Sequence, residues 1–383
     1  MSIDGHWMTA DEASAALGVR KQTLYAYVSR GLVPRDVAHD PDGRRVSRFD
    51  RSHIVALAAE RSRARAGVLT VLIESDVSAL DPEGRLAFRG HSIAGLVDRG
   101  SFEDAAALVL QTDGYQPQPA LIPESSDALP VKTAGRRSDA IRAAVLTVAA
   151  TDPDRGSTSA MHCVSVAMTA VEAGCVAITG LTLESGSVAT RLSSAFARSA
   201  TTPVLVRCFN VALTLLIDHE LTASTLATRT AASVQADPWM AILAGQCAMS
   251  GPRQAGAIQL AVDVLRRWLD GTMLDWGNPL PGFGHRVYVG PDPRYELLIT
   301  EVAQLDAELV RRVEGLCIEV ARRQSRYPNV DLALAALTVA VDADPDCGEV
   351  LFTLARTIGL AAHAIEEYPH RLRLRMRALT SHP

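Results

Sequence analysis

The first 34 residues carry two short helical patterns of apolar positions around a glycine. Thr9 followed by Glu12 is the capping-box signature of a helix start, and the apolar positions up to Leu17 form one stripe of that helix. Gly18 ends it, and a second helix carrying Leu24 runs on until the glycine and proline near position 34. The pattern therefore predicts two helices joined by a tight turn.

Extended segments follow on both sides of an Asp42-Gly43 pair, which predicts a β-hairpin. Residues 51–66 then show the composition of a charged helical linker. Helix, turn, helix and hairpin together resemble the small winged helix-turn-helix domains of the MerR and excisionase type. That resemblance implies DNA contacts from the start of the second helix and from the hairpin, and the candidate residues are Lys21, Gln22, Thr23 and Arg44. The alternative is a docking domain that keeps this fold without binding DNA.

A new pattern begins at residue 67. Residues 70–75 alternate weakly, residues 81–84 form a turn, and residues 85–90 are typical of a short strand. Residues 112–137 are rich in proline and polar side chains and predict a loop, whereas the periodicity after residue 137 is helical almost throughout. The main body is therefore expected to be mainly α-helical.

Composition supports a helical core. The chain has 383 residues, of which 48% are hydrophobic and only 5% aromatic, so the core is built from Ala, Val, Leu and Ile. Strands favour aromatic and β-branched residues, so this balance favours close-packed helices over a β-sandwich or barrel. The apolar content also excludes a wholly disordered chain.

Charge divides the chain into a mildly basic front and an acidic body. Residues 1–66 carry 11 Lys and Arg against 8 Asp and Glu, whereas the remainder has a net charge of −8. This asymmetry suggests two separate roles.

Six cysteines without C-x-x-C spacing predict buried free thiols and neither a zinc site nor a disulfide framework. With no signal-peptide pattern and no run of 18 apolar residues, we expect a cytoplasmic protein without a membrane span.

Three segments, around positions 219, 285 and 331, contain residues that could take part in catalysis or substrate binding. Each of these residues also has a purely structural interpretation. A histidine beside acids, as at position 219, is often a satisfied structural residue, and the glycines of 281–284 can simply relieve backbone crowding. Asp331 has the position of a helix N-cap. Together, however, histidines and several arginines suit a dicarboxylate substrate, because guanidinium groups bind carboxylates in pairs of hydrogen bonds. An aspartate near them suits proton abstraction beside a carbonyl.

From residue 67 to the end, the chain resembles the citrate synthase and 2-methylcitrate synthase family. The resemblance rests on motifs that follow in the family's order: IESD near residue 73, DPEGRLAFRGHSI (81–93), DHELTAST (218–225), GPRQAGA (251–257), PGFGHRVY (281–288), DPRY (292–295), YPNVD (327–331) and ARTIG (355–359). It implies a two-domain helical fold preceded by the small winged helix-turn-helix domain. The expected division is residues 1–66 for that module, 67–220 with 326–383 for a large domain, and 221–325 for a small domain.

The same resemblance implies condensation of acetyl-CoA, or propionyl-CoA, with oxaloacetate. Asp331 would remove the methyl proton, and His285 would donate to the oxaloacetate carbonyl. Oxaloacetate would be held by His219, Arg294, Arg356 and an arginine supplied by a neighbouring subunit, which is Arg373, with Arg371 and Arg375 as alternatives. CoA would lie against Pro281, Gly282, Gly284 and Arg286. The family implies neither a bound cofactor nor a metal, and the CoA thioester is a co-substrate. It also implies a homodimer or a mixed dimer with a related synthase.

One departure from the family is chemically informative. GPRQAGA places Gln254 where the family has the histidine that stabilises the enol of acetyl-CoA, and a glutamine amide is also a neutral donor of similar reach. Two hypotheses follow. One is an active synthase with an extra N-terminal module. The other is a catalytically weak or inactive homologue that acts as a ligand-sensing DNA-binding regulator or as a partner subunit.

Overall fold

A computed structural model describes the chain as two compact units, residues 1–74 and residues 75–383. The residues described are 6–29, 33–39, 43, 45–55, 57–58, 72–81, 84–122, 124, 136–198, 200–288, 290–370 and 374.

The first unit pairs two helices with a three-stranded antiparallel sheet. Its elements are β1 (Trp7–Thr9), α1 (Ala10–Leu17), α2 (Lys21–Ser29), β2 (Asp36–His39) and β3 (Arg45–Asp50), and the strand order is β1-β3-β2. The predicted capping box at Thr9 and Glu12 is confirmed, as is the helix end at Gly18, which has a φ of 61°. The predicted hairpin strands pair as β2 and β3, with Val37 opposite Ser47. Residues 51–55 and 57–58 are helical.

The second unit opens with a small antiparallel sheet of strands β4 (Ser78–Leu80), β5 (Leu86–Phe88) and β6 (His91–Ser92), in that order. The predicted strand at 85–90 is confirmed. Residues 70 and 71 lie outside the described residues. For 72–75 the strand suggested by the alternation is wrong, because these residues have no regular structure and the first described strand of this unit begins at Ser78. Alternation of a few residues without a partner strand is not sufficient to form a ladder.

The rest of the second unit is helical. Its helices are α3 (Ile93–Arg99), α4 (Phe102–Leu110), α5 (Arg137–Thr151), α6 (Ala160–Thr179), α7 (Val188–Phe196), α8 (Pro203–Leu216), α9 (Ala223–Ser233), α10 (Pro238–Ala248), α11 (Ala257–Leu269), α12 (Pro293–Leu305), α13 (Ala307–Gln324), α14 (Val330–Ala340) and α15 (Cys347–Glu367). Short 3₁₀ turns lie at Pro119–Leu121 and Leu183–Ser185. The prediction of helix after residue 137 is confirmed.

Helix α15 is the centre of this unit. Almost all of its residues are buried, and it packs against α6, α8, α9 and α10. Gly359 makes the closest of these approaches possible, since a Cβ there would lie 2.2 Å from the carbonyl oxygen of Ile217 and 2.8 Å from Oδ1 of Asp218. The helix therefore holds the corner between α8 and α9 against its own backbone.

Among the described residues, helix α6 is the one that is long and apolar enough to cross a membrane by length and composition alone, although polar residues interrupt it and it contains no run of 18 apolar residues. In this unit 72% of its apolar window is buried. Its Glu172 forms a buried ion pair with Arg191, with 2.6 Å between Oε2 and Nη2. The helix packs here as a core helix.

The cysteines differ in exposure from the expectation. All six are free, and Cys163, Cys175, Cys208 and Cys347 are buried as predicted. Cys247 is exposed on α10 and Cys317 is half-buried, so the prediction was wrong for these two. A small thiol is tolerated on a helix surface, and sequence spacing alone carries no sign of which face it occupies.

Candidate active site

The corner between α8 and α9 holds the first histidine. Asp218 is fully buried there, and its Oδ2 accepts hydrogen bonds from Ser78 (2.5 Å), the backbone N–H of Glu220 (3.1 Å) and Nε2 of His363 (3.2 Å). These bonds join the corner to strand β4 and to helix α15. His219, the next residue, is thereby fixed at the edge of the core, where it is 5% exposed.

Two histidines and a tyrosine form a compact ring cluster. The ring centroids of His219 and His285 are 4.9 Å apart, and Tyr288 lies 5.4 Å from the first and 4.7 Å from the second. Nε2 of His219 is 2.8 Å from the hydroxyl of Tyr288. The structure therefore brings together the two histidines that stand 66 positions apart in the sequence.

Both histidines are neutral at physiological pH. Burial, together with the positive charge of Arg294, lowers the pKa of His285 to about 4, and the same two causes lower the pKa of His219 well below its usual value. Nδ1 of His285 accepts the backbone N–H of Val287 at 3.2 Å. The proton of the neutral ring is therefore on Nε2, which makes His285 a hydrogen-bond donor at that atom.

The turn that carries His285 is joined to the start of α14. The backbone N–H of Gly284 donates to the carbonyl of Tyr327 at 2.7 Å, and Phe283 forms an antiparallel bridge with Pro328. The Asn329 side chain donates to the carbonyl of Gly284 at 2.8 Å and accepts the backbone N–H of Asp331 at 3.0 Å. His285 and Asp331 are thus carried by one connected piece of backbone.

Asp331 stands in the first turn of α14 and is partly exposed. Desolvation by the surrounding protein raises the pKa of its carboxyl to about 7, and Asp292 adds to this rise while Arg294 opposes it. The cap of α14 is Asn329 and not Asp331, so the N-cap interpretation of Asp331 is wrong. A carboxyl with a pKa near neutrality is suited to accept a proton.

Arg294 is buried in the first turn of α12 and is held by Asp292. Its Nε lies 3.0 Å from Oδ1 of Asp292, and its Nη2 lies 2.8 Å from Oδ2. Its guanidinium carbon is 6.0 Å from the centroid of the Tyr288 ring, so its charge acts on the histidine cluster. Two of its donors are consequently occupied by the protein itself.

Arg356 differs from Arg294 in that the terminal amino groups of its guanidinium have no hydrogen-bond partner within the described ranges. It is 1% exposed in the middle of α15, its Nε donates to the carbonyl of Leu216 at 2.9 Å, and its guanidinium carbon lies 4.7 Å from the centroid of the Phe352 ring. Both terminal amino groups, Nη1 and Nη2, are buried without a hydrogen-bond partner in the part of the chain that the structure describes. Burial lowers the pKa of Arg356 to about 10, so it remains charged at neutral pH. Its fork is available to an anion.

Gln254 lies between α10 and α11 and contacts the first turn of α9. Its amide nitrogen is 2.7 Å from Oγ of Ser224 and 3.4 Å from Oγ1 of Thr222. The oxygen and nitrogen of such an amide are assigned from the surrounding hydrogen bonds, and a serine hydroxyl is able to donate as well as accept. In this orientation the NH₂ group of Gln254 faces the first turn of α9.

The residues expected to lie against CoA form the turn before His285. Gly282 and Gly284 have φ values of 87° and 81°, which favour glycine. A Cβ at Gly284 would lie 2.6 Å from Nη1 of Arg326, which is the end of a flexible side chain, so the positive φ accounts for this glycine better than crowding by backbone does. Pro281 is half-buried and Arg286 is exposed.

Three of the four candidate DNA-contact residues of the first unit lie in the first turn of α2. Lys21 and Gln22 are exposed and Thr23 is half-buried, all in the first turn of α2. Nζ of Lys21 lies 2.6 Å from Asp11, so its charge is partly balanced. Arg44 lies outside the described residues, as does Arg373 of the second unit.

Sequence reasoning missed Asp292 and Tyr288 as members of the cluster. Tyr288 stands three positions after His285 in the same motif, and Asp292 precedes a proline in a typical helix-start pair. Those signals predict a turn and a cap, respectively, but not contacts with His219 or Arg294. No group of three or more His, Cys, Asp or Glu side chains among the described residues is arranged to hold a metal ion.

The fold is similar to the citrate synthase of Pyrobaculum aerophilum (TM-score 0.68, 20% identity, 92% of this chain and 96% of that one). It is also similar to the citrate synthase of Thermoplasma acidophilum, solved in its ternary complex with carboxymethyl coenzyme A and oxaloacetate (TM-score 0.65, 23% identity, 84% of this chain and 96% of that one). These likenesses show the fold.

Sequence comparison gives the family. The chain is 33% identical over 208 residues to a citrate synthase of Saccharolobus solfataricus, covering 49% of this chain and 55% of that protein, and 30% identical over 203 residues to that of Thermoplasma acidophilum (48% and 52%). The matched stretch thus spans about half the length of these curated relatives. Residues 68–377, however, match the family model described as "Citrate synthase, C-terminal domain". The chain belongs to the citrate synthase family.

Proposed function

We propose that the second unit is an acyltransferase that condenses acetyl-CoA or propionyl-CoA with oxaloacetate, giving citrate or 2-methylcitrate and free CoA. The observation that carries this proposal is Arg356, whose charged fork is buried with both terminal amino groups unpartnered. A buried charge without a counter-group in contact is costly unless a ligand satisfies it. A dicarboxylate supplies such a group, and it would lie beside a neutral histidine donor and a carboxyl of raised pKa.

Asp331 is the proposed base. Its carboxylate takes a proton from the acyl carbon next to the thioester carbonyl, and the electron pair left on that carbon delocalises onto the thioester oxygen as an enol or enolate. The carbon then attacks the ketone carbon of oxaloacetate. Nε2–H of His285 donates to the ketone oxygen as it becomes a hydroxyl. Water then hydrolyses the thioester and releases CoA.

Gln254 is the proposed donor to the thioester oxygen. Its amide carries two N–H groups. One donates to Oγ of Ser224 at 2.7 Å and holds the side chain in place, and the other makes only a long contact of 3.4 Å with Oγ1 of Thr222, which a thioester oxygen would replace. Loss of one such donor costs about 10²–10³-fold in rate in comparable sites. The amide does not titrate, so this donor would be the same at every pH at which the protein is folded.

Oxaloacetate is proposed to bind to His219, Arg294 and Arg356, with Arg373 contributed by a neighbouring subunit of a homodimer or mixed dimer. CoA is proposed to lie against Pro281, Gly282, Gly284 and Arg286. The division into a large domain (67–220 and 326–383) and a small domain (221–325), and a cytoplasmic location, belong to the same proposal.

The proposed base gives the reaction a defined pH dependence. Because the pKa of Asp331 is about 7, kcat/KM for the acyl-CoA should rise about tenfold for each pH unit below 7 and level off above it. His285 should not limit activity above pH 5, since its pKa is about 4. Steady-state rates from pH 5 to 9 at constant ionic strength measure this, with melting temperatures recorded at each pH. A rate that stays level down to pH 5 would contradict the assignment.

Product analysis tests the proposed reaction. The full chain is incubated with oxaloacetate and either acetyl-CoA or propionyl-CoA, and the products are identified by mass spectrometry. Citrate from the first mixture or 2-methylcitrate from the second is the expected result, and the ratio of the two rates gives the acyl preference. Neither product in either mixture, with folded protein, would favour the non-catalytic homologue.

The first unit is proposed to be a winged helix-turn-helix module that binds DNA. The two helices joined at Gly18 and the β2–β3 hairpin support this, as does the exposure of Lys21 and Gln22 at the start of α2. Its charge is modest, and Nη2 of Arg48 in β3 is engaged by Asp36 at 2.6 Å. We therefore expect weak binding that depends strongly on salt.

Fluorescence anisotropy of a labelled duplex with the full chain tests this at 20 to 200 mM salt. Binding at low salt that weakens steeply as salt rises is expected, because released counterions drive such binding. Lys21→Ala should weaken it, whereas Arg311→Ala, which removes an exposed and paired arginine of the second unit, should not. If no binding is detected at 20 mM salt, DNA binding is excluded and the docking-domain interpretation is supported.

A further inference from the structure

Asp292 is a fully buried carboxylate that accepts four hydrogen bonds. Its Oδ1 accepts the backbone N–H of Arg294 and Nε of the same residue, both at 3.0 Å. Its Oδ2 accepts Nη2 of Arg294 at 2.8 Å and the backbone N–H of Val330 at 3.1 Å. One side chain is therefore bonded to the start of α12 and to the start of α14, 38 positions further along the chain.

We infer that Asp292 is a positioning residue, which fixes the guanidinium of Arg294 and the first turn of α14, and hence Asp331, relative to each other. The inference rests on the proposed function, in which Arg294 binds oxaloacetate and Asp331 takes the proton from the acyl-CoA. The two reactants must meet at bonding distance, so the groups that hold each of them must keep a constant separation. Asp292 joins those groups through one carboxylate.

The charge of Asp292 has a second effect on the same residues. It balances Arg294, which leaves Arg356 as the cation with an unfilled fork for a dicarboxylate. The charged groups that act on Asp331 are Arg294, which favours its ionised form, and Asp292, which disfavours it. Removal of the Asp292 charge therefore leaves the Arg294 charge unopposed beside Asp331.

A helix cap alone would not explain these contacts. Asp292 caps α12, but only the bond from the Arg294 backbone belongs to that role. Asp306 is the matched case, since it caps α13 by accepting the backbone N–H of Leu309 at 2.8 Å. A substitution at Asp306 therefore measures the contribution of a lost capping charge without a link to α14.

The experiment compares Asp292→Asn with Asp306→Asn in the full chain. Asparagine places an NH₂ donor at one of the two oxygen positions, and both of these face N–H groups of Arg294. At least one bond to Arg294 is therefore lost, and with the NH₂ group at the Oδ2 position the bond from the backbone N–H of Val330 is lost as well. We expect kcat to fall about 100-fold in Asp292→Asn, with a smaller change in KM for oxaloacetate. The midpoint of the pH profile should move from about 7 to below 6, about one pH unit or more. Asp306→Asn should stay within about twofold of the wild type with an unchanged midpoint.

A second variant keeps the test decisive if Asp292→Asn does not fold. Val330→Pro removes the backbone N–H that donates to Oδ2 of Asp292, at the first position of α14, where proline is well tolerated. Asn329 before it already has extended backbone, as a residue before proline requires. We expect a fall in kcat of about tenfold or more, with an unchanged KM for oxaloacetate.

The outcomes separate this inference from the proposed function. An NMR titration of the Asp331 carboxyl, assigned with Asp331→Asn, does not depend on turnover. A lower pKa of Asp331 in Asp292→Asn supports the inference even if no acyl-CoA is condensed, in which case the proposed function alone fails. If the wild type is active, but Asp292→Asn and Val330→Pro both match Asp306→Asn in kcat and in the titration of Asp331, the inference is overturned and the proposed function stands.

Discussion

Replacing Asp331 by alanine is expected to lower the condensation rate about 10³-fold, within the range of about 10²–10⁴ that a general base contributes. Among the residues proposed to act on the substrates, Asp331 is the carboxyl whose pKa lies near neutrality, and no other group replaces its carboxylate at the start of α14. Binding of oxaloacetate should change little, because the arginines that hold it remain. The rate is measured by CoA thiol release at pH 8.

The matched control for this variant is Asp342→Ala. Asp342 is exposed and paired with Arg198, so its loss should leave the rate unchanged. Stability separates catalysis from folding. Because folding raises the pKa of Asp331 from 3.8 to about 7, this group lowers the stability of the folded protein progressively as pH rises from the lower value to the higher one, and the loss is constant above that. The melting temperature of Asp331→Ala at pH 8 should therefore equal or exceed that of the wild type. Retention of more than a tenth of the wild-type rate would contradict the role of Asp331.

The second large effect is expected at Arg356. Arg356→Gln removes the unpartnered fork, and the loss of one member of a buried charge pair costs about 2–5 kcal/mol. That free energy corresponds to an increase of roughly 30- to 4,000-fold in KM for oxaloacetate. Calorimetric titration with oxaloacetate gives the same quantity without turnover. Arg356→Lys, which keeps the charge but not the fork, should fall between the two.

Arg191→Gln is the matched control for Arg356. Arg191 is also about 1% exposed, but its Nη2 is already bonded to Glu172 at 2.6 Å. Arg191→Gln should lower the melting temperature, because Glu172 is then buried without its arginine partner. It should leave oxaloacetate binding unchanged, because Arg191 is already engaged by Glu172. Arg356→Gln should do the reverse, because it removes a buried charge without a filled fork. Equal oxaloacetate affinity in Arg356→Gln and in the wild type would exclude Arg356 as the carboxylate receptor.

The parts of this structure that could be predicted from sequence are those set by neighbouring residues. The capping box at Thr9 and Glu12 and the helix end at Gly18 depend on contacts within four positions, and both are found as expected. The helical main body follows in the same way from its apolar periodicity. The order of the motifs also identified the family without any structure.

The site could be predicted only in part, because its contacts join distant positions. The bond between Asp292 and Val330 spans 38 residues, and that between Gln254 and Ser224 spans 30. Nothing in the local pattern distinguishes Arg294, whose donors are occupied by Asp292, from Arg356, whose fork is unfilled. That difference arises from packing, and it changes which arginine is expected to contribute most to substrate binding.

Thiol release by the wild-type chain is the most direct test of the central claim, that this cluster joins an acyl-CoA to oxaloacetate. We predict release of free CoA that requires both substrates together, rises with pH through about 7, and is lost in Asp331→Ala. Thiol release without oxaloacetate, or release equal in the wild type and Asp331→Ala, would contradict the account.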